Sequence, residues 1–442
     1  MIDKSFVNVL LLGLSFMLIF TAFQTMGNIE KTILSSITSE DPTFTGNAYY
    51  SLAIIYVVFS IFNWAAPSVI SVIGPKFSMV LGGCAYLLFI VSFIIPKTWL
   101  LYLVSTIIGI GAAMIWTGQG NYLTLNSTKR HISRNSGVFW AMLQLSMFIG
   151  NLFVYFAFKG KDKIDKSTRT VVIWTLSAVA VCGVFVLLIL PRATKESEDD
   201  DEDAVEEVPE GPIAAFFGAV RLFMTKDMQL LSITFLYTGL ELGFFSGVYS
   251  SCIGFTQAFE NRKELVGISG LFIGVGEVLG GALFGILGSK TTKWGRDPIV
   301  GGAFIIHAVS YFLIFLNLPN SSPFNDTNES AYMTSNAILA IFCSFLLGFG
   351  DSCYNTQIYS LLGSVYADKS APAFAIFKFT QSVGAAVCFF YADSLVLYGQ
   401  LAILLVFGTL GTISFIWVEW TAKKQNTLKR SEDEKGSAAN LT

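Results

Sequence analysis

The chain has 442 residues, of which 53% are hydrophobic and only 13% are charged, and its mean hydropathy is +0.61. Because soluble domains carry about 25% charged residues, this composition argues against an ordinary globular enzyme. The net charge of −3 argues against a nucleic-acid partner, which needs a basic surface. The chain has only two histidines, which argues against a histidine-based metal site. We predict no metal and no cofactor.

Twelve apolar stretches are long enough to cross a membrane, since a helical span needs about 20 predominantly apolar residues. They cover 6–28, 48–72, 77–96, 98–126, 136–158, 169–191, 228–252, 265–288, 298–318, 335–366, 372–393 and 398–420. We therefore predict an all-α membrane protein in contact with the lipid bilayer, with twelve transmembrane helices in two six-helix bundles.

The spans divide six and six around a polar connection. We predict an N-terminal bundle over 1–191, an acidic cytoplasmic linker over 192–227, a C-terminal bundle over 228–420 and a cytoplasmic tail over 421–442. The linker core, 196–210, holds ten carboxylates in fifteen positions, and such a block repels itself and stays disordered. A solvated linker is the first interpretation, and a docking tail for a partner is the alternative.

The distribution of Lys and Arg predicts which side the termini face. Eighteen lie on the side of the termini and nine on the other side, so the termini are predicted to be cytoplasmic, although five basic residues in 159–169 run against this bias. Three sequons, at Asn320, Asn325 and Asn328, fall in one connection on the opposite side, where glycosylation occurs. Either the plasma membrane or an endomembrane is compatible with this arrangement.

A weak internal repeat relates the two halves. Span 1 contains FTAFQTMG (20–27) where span 7 contains YTGLELGF (237–244), and the Gly-x-Gly of span 4, at 109–111, matches that of span 10, at 348–350. Downstream amides also correspond: Gln119 with Gln357, and Gln144 with Gln381. This pattern indicates two related bundles that rock about a central cavity.

Six longer strings carry a resemblance to a known family. They are FTAFQTMGN (20–28), IWTGQGNYLTLNS (115–127), RNSGVFWAMLQ (134–144), YTGLELGFFSGVY (237–249), LGFGDSCYNTQ (347–357) and SAPAFAIFKFTQS (370–382). The sequence resembles the major facilitator superfamily and, within it, the uncoordinated-93-like branch. The resemblance implies a twelve-helix facilitator fold. It does not imply a substrate, because that branch holds regulators of channels or receptors as well as presumed transporters.

One loop departs from the facilitator pattern. Between spans 2 and 3 that pattern has a glycine followed by an Asp-Arg pair, whereas this chain has Gly74-Pro75-Lys76, with no acid. A partial counterpart, Lys293-Trp294-Gly295-Arg296, lies between spans 8 and 9. The missing acid argues against borrowing the gating mechanism of typical transporters.

Four charged residues lie in the interior of the spans, away from their ends: Glu241, Glu277, Asp351 and Lys378. A charge at the bilayer centre costs about 2.5–3.5 kcal/mol, so these side chains should face the bundle interior, water or one another. The resemblance implies the same, because spans 7, 8, 10 and 11 of the facilitator fold line its cavity. We predict that an acid, Asp351 or Glu277, neutralises Lys378.

Glu277 lies on a glycine stripe of one helix face. The glycines at 270, 274, 281 and 285 follow spacings of three and four residues around it, and small residues allow another helix to approach closely. Glu277 should therefore lie at or beside a helix–helix contact. A structural hydrogen bond there and a role in binding a proton or a substrate both remain open.

Amides are the main polar groups of the N-terminal spans. Candidate binding groups are Gln24, Gln119, Asn121 and Gln144, joined by Gln357 and Gln381 from the C-terminal spans. Amides beside aromatic rings suit a neutral or zwitterionic solute, but amides also join helices. His307, in span 9, is interpreted as a structural histidine.

The motifs of soluble enzymes are absent, including the phosphate-binding loop G-x-x-x-x-G-K-[ST] and the sequences G-x-S-x-G and H-E-x-x-H. We predict a protein that is not an enzyme. The first hypothesis is a secondary transporter of a small solute by alternating access, with proton coupling as an option. The alternative is a non-transporting regulatory or trafficking partner of another membrane protein.

Overall fold

A computed structural model describes residues 4–127, 132–161, 163–192, 212–366 and 369–439. The helices are α1 Lys4–Glu40, α2 Ala48–Phe62, α3 Ala66–Ile73, α4 Pro75–Ser92, α5 Thr98–Leu125, α6 Ile132–Phe158, α7 Lys166–Ile189, α8 Pro212–Phe223, α9 Lys226–Gly243, α10 Tyr249–Phe255, α11 Arg262–Trp294, α12 Asp297–Asn317, α13 Ala337–Val365, α14 Ser370–Ala392 and α15 Leu397–Ala439. A π-helical turn, Phe244–Val248, joins α9 to α10. Within the described ranges, the one extended pairing is an isolated bridge between Thr256 and Thr327.

The predicted number of membrane spans is confirmed. Within the described ranges, eleven helices are long and apolar enough to cross a bilayer, with Lys226–Phe255 counted as one, and the bent pair α2 and α3 brings the total to twelve. The predicted span 48–72 is not straight, because α2 and α3 meet at an angle of 69°. Pro67, in the first turn of α3, cannot donate a backbone hydrogen bond to the preceding turn, which explains why the helix breaks there.

The first span extends well past its predicted end. The apolar run suggested 6–28, but α1 continues to Glu40. Polar residues in this extension are packed inside the protein, and Glu30 is completely buried. Hydropathy along the sequence therefore placed the end of this helix too early, because tertiary packing shields its later turns.

Two regions predicted to be polar connections contain helix. The helix α8 lies inside the predicted linker 192–227, and its Ala219 and Leu222 are buried. The acidic core of that linker lies outside the described residues. At the other end of the chain, α15 continues through the predicted tail as far as Ala439.

The two halves repeat one pattern of helix pairing. In the N-terminal half α1 packs on α6 and α7, α5 packs on α2 and α4, and α4 packs on α7. In the C-terminal half α9 packs on α14 and α15, α13 packs on α11 and α12, and α12 packs on α15. These pairings correspond span by span, so the fold consists of two six-helix bundles with the same internal arrangement.

Two seams join the bundles, one between α6 and α11 and the other between α2 and α14. Glycine allows the helix backbones to approach closely at the first seam, since a Cβ atom built on Gly267 would lie 2.6 Å from the backbone nitrogen of Tyr155. Gly270 packs in the same way against the side chain of Asn151. Small residues thus permit backbone contact between the halves, as expected for helices within a membrane.

Candidate functional site

Three carboxyl groups meet inside the C-terminal bundle. Glu241 of α9, Glu277 of α11 and Asp351 of α13 are exposed by only 1%, 7% and 8%. Glu241 and Asp351 interact with each other, and Glu277 interacts electrostatically with both. We call these three residues the acidic cluster. All three face the protein interior, as their cost in lipid requires.

Glu277 also connects the two bundles. Its Oε2 accepts a hydrogen bond of 2.8 Å from Nε2 of Gln144, which belongs to α6. Two of the residues singled out in the sequence therefore meet across the α6–α11 seam. This contact joins the acidic cluster of one half to the amide-rich interior of the other half.

His307 lies beside the acidic cluster, although sequence reasoning assigned it only a structural role. Its Nε2 is 3.4 Å from Oε1 of Glu241 and 3.1 Å from the carbonyl oxygen of Leu347, and its Nδ1 is 2.6 Å from the hydroxyl of Tyr237. The ring is fully buried. The sequence indicated a functional residue only by a titratable imidazole within an apolar span. That span is the ninth, which the facilitator resemblance assigns to the outside of the bundle.

Lys378 does not form the predicted ion pair. Its Nζ donates a hydrogen bond of 2.9 Å to Oε1 of Gln381, and the described residues include no carboxylate oxygen within 4 Å of it. Gln381 in turn donates to Asn355 at 3.4 Å, and Asn355 donates to Asp351 at 2.8 Å. A chain of two amides therefore connects the ammonium group to Asp351, which also interacts with Lys378 electrostatically.

Two aromatic rings of the C-terminal bundle adjoin Lys378, and one of them continues into rings of the N-terminal bundle. Trp116 and Trp140 stack with their ring centroids 5.9 Å apart, and Trp140 meets Tyr359 of the other bundle edge to face at 6.2 Å. The ammonium nitrogen of Lys378 lies 5.5 Å from the centroid of Tyr359 and 4.7 Å from that of Phe377. We call Trp116, Trp140, Tyr359 and Phe377 the aromatic wall.

The remaining amide candidates are dispersed. Gln24 accepts a hydrogen bond from the hydroxyl of Ser146, on the same helix as Gln144. Gln119 and Gln357 are buried in α5 and α13, whereas Asn121 is exposed. Among the described contacts, none brings Gln119, Asn121 or Gln357 to the acidic cluster.

Several contacts close the bundle at the end that holds the connection 318–336, which we call the distal end. Lys31 of α1 forms an ion pair of 3.5 Å with Asp393, directly after α14. The hydroxyl of Tyr49 donates to the carbonyl oxygen of Pro323 at 2.8 Å. Both contacts cross between the bundles, and neither was anticipated, because the partners are more than 270 residues apart in the chain.

At the opposite end, the described residues form an ionic cluster in the C-terminal bundle. Arg296, between α11 and α12, pairs with Glu419 at 2.8 Å and also donates to Ser360 and Ser364. The equivalent position of the N-terminal bundle is the acid-free turn at Gly74, whose φ of +80° suits glycine. The departure from the facilitator pattern noted in the sequence is therefore confined to one half.

Comparison with known structures defines the class of protein. The fold is similar to that of the nucleoside transporter NupG, with a TM-score of 0.63 and 13% identity over 93% of this chain and 98% of that chain. It is also similar to the peptide transporter POT in complex with sulfate, with a TM-score of 0.65 and 12% identity over 94% of each. The protein is a multi-pass membrane protein with the major facilitator fold.

Sequence comparison is more specific. Residues 43–416 match the family model described as ion channel regulatory protein UNC-93. The UNC93-like protein MFSD11 of Xenopus laevis is 48% identical over 434 residues, covering 95% of this chain and 97% of that protein. The chain belongs to the UNC-93 family, and the resemblance seen in the sequence is confirmed.

Proposed function

We propose that the protein is a secondary transporter of a small solute, coupled to protons through the acidic cluster. The observation that carries this proposal is the hydrogen bond from Gln144 to Glu277, because it joins a titratable group to the seam between the two bundles. The facilitator fold is compatible with motion of one bundle against the other about that seam.

The acidic cluster has the chemistry of a proton site. Two like charges 4 Å apart repel by about 4 kcal/mol at an effective dielectric constant of about 20, so adjoining carboxyl groups are stabilised when they share a proton. An ionised carboxylate accepts a stronger hydrogen bond than a neutral acid does. Protonation of Glu277 would therefore weaken its bond to Gln144 and ease movement at the α6–α11 seam.

The contacts at the distal end fit one state of an alternating-access cycle. Lys31 and Asp393, together with Tyr49 and the carbonyl of Pro323, hold the bundles together there. Each contact is a single ion pair or hydrogen bond, whose net contribution is about 1 kcal/mol. Such contacts are weak enough to break and reform during a transport cycle.

The test is concentrative uptake by purified protein in proteoliposomes. A thermal-shift screen against a metabolite library first selects a compound that stabilises the protein by binding it. We expect this compound to accumulate in the vesicles against its own gradient when a pH gradient is imposed, and to lose that accumulation when a protonophore is added. Binding without any flux above that of protein-free vesicles would contradict the proposal.

The orientation proposed here has cytoplasmic termini and an outer distal end. Asn325 and Asn328 are exposed in the distal connection, whereas Asn320 is half-buried and its Oδ1 accepts the backbone N–H of Tyr398. We therefore expect glycan at Asn325 or Asn328, detected as a mobility shift that a glycosidase removes. The double change N325Q and N328Q should abolish the shift, and Asn320→Gln should not. Asn126 also begins a sequon, on the predicted cytoplasmic side, and glycan there would indicate the opposite orientation.

A regulatory role is the second candidate, favoured by the family description and by the acid-free turn at Gly74. Under this hypothesis the protein binds another membrane protein, such as an ion channel, and needs no solute flux. Affinity purification from native membrane would then recover one stoichiometric partner, and Glu277→Gln would leave that recovery unchanged. Solute uptake that depends on Glu277 would favour the transporter instead.

A further inference from the structure

We infer that Lys378 and the aromatic wall form a binding site for small organic anions that carry a flat apolar group. This inference rests on the proposed function, since it assigns a solute class to the proposed transporter. Its first support is the position of Lys378, half-buried in α14, the helix that packs on α2 of the other bundle.

Among the described residues, the ammonium group has one hydrogen-bond acceptor for its three N–H donors, Oε1 of Gln381. The nearby rings of Tyr359 and Phe377 add cation–π contacts, each worth about 0.5–2 kcal/mol. These contacts leave donors free for an acceptor on a ligand, and a carboxylate or a similar anion is the acceptor that also balances the charge.

No described carboxylate oxygen lies within 4 Å of the ammonium group, although Asp351 still interacts with it electrostatically. The amides of Gln381 and Asn355 lie between Lys378 and Asp351, so the carboxylate of Asp351 is bonded to an amide and not to the ammonium group. Glu277 is engaged by Gln144. An external anion can therefore approach Lys378 without displacing an existing ion pair.

The aromatic wall indicates the rest of the ligand. Trp140 is 37% exposed, although it stacks on Trp116 and meets Tyr359. Trp116 and Tyr359 are also partly exposed, whereas Phe377 is fully buried, so three rings of the wall offer flat apolar surfaces on which a planar group can stack. Because the wall includes residues of both halves, the bound solute would touch both bundles.

The experiment compares three ligands of one shape on the purified full-length chain: benzoate, benzamide and benzylamine. Binding is followed by the quenching of tryptophan fluorescence and by thermal shift. We expect benzoate to bind about tenfold more tightly than either analogue, because only its carboxylate pairs with the ammonium group. Equal binding of benzoate and benzamide by the wild-type protein would overturn the inference.

Variants separate binding from a structural effect. Lys378→Gln should weaken benzoate binding about tenfold or more while leaving benzamide binding unchanged. Lys378→Arg keeps the positive charge and should retain the preference for benzoate over benzamide. Lys369→Gln, an exposed change at the start of the same helix, should have no effect. Unchanged benzoate binding in Lys378→Gln would refute the assignment.

The inference and the proposed function fail in different ways. Selective benzoate binding without uptake would sustain the anion site and contradict transport. Proton-driven uptake of a neutral solute, without any preference for anions at Lys378, would sustain transport and contradict the anion site.

Discussion

Glu277→Gln should abolish proton-driven accumulation of the solute in proteoliposomes while preserving the exchange of labelled for unlabelled solute. The amide of Gln retains an oxygen that can accept the hydrogen bond from Gln144, so the α6–α11 seam should remain intact. It cannot take up or release a proton, so movement of the bundles is no longer coupled to the pH gradient. Accumulation should fall to the level of protein-free vesicles.

A matched control makes this prediction specific. Glu260 is an exposed glutamate just before α11, and Glu260→Gln should leave both accumulation and exchange unchanged. Loss of exchange in Glu277→Gln together with a lower melting temperature would indicate that Glu277 is needed mainly for folding. Unchanged proton-driven accumulation in Glu277→Gln would reject its role in coupling.

Gly348→Ala should lower the thermal stability of the protein markedly. A Cβ atom at this position would overlap with the carbonyl oxygen of Ile273, which belongs to the backbone of α11 and cannot rotate away. The helices α11 and α13 would have to separate, and overpacking of this kind costs about 1–3 kcal/mol. A fluorescence-detected melting curve of the purified protein measures the effect.

The same helix offers a control for this substitution. A Cβ atom on Gly363, also in α13, would meet no described atom within 4 Å. Gly363→Ala should therefore be neutral or stabilising, by up to about 1 kcal/mol, because alanine is the better helix former. Similar melting temperatures for the two variants would contradict the proposed close packing of α11 against α13. Separation of these helices would also move Glu277 away from Asp351.

The positions of the charged residues could be predicted only in part. Their cost in a bilayer implied that Glu241, Glu277 and Asp351 face inward, and the structure brings these three together. The same argument led to an ion pair for Lys378, but Asp351 interacts with Lys378 only at longer range, without a described contact within 4 Å. A buried charge must interact with polar or aromatic groups, but amides and aromatic rings can supply those interactions as well as an acid can.

The burial and the neighbours of some candidate residues could not be predicted from the sequence. His307 was assigned to an outer span, and only the packing of α12 on α13 places its ring beside Glu241. Glu30 lay beyond the predicted end of span 1, yet it is completely buried. In both cases hydropathy is a property of the residue type, whereas burial depends on which helices pack around the residue.

The sequence by itself determined the membrane environment, the twelve spans and the family, because apolar length and long specific strings are properties of the chain. Only the tertiary structure decided which polar groups meet: Gln144 with Glu277 across the seam, Lys31 with Asp393 at the distal end, and two amides between Lys378 and Asp351. These contacts join residues far apart in the chain, and their geometry depends on helix rotation and depth, which local sequence patterns do not fix.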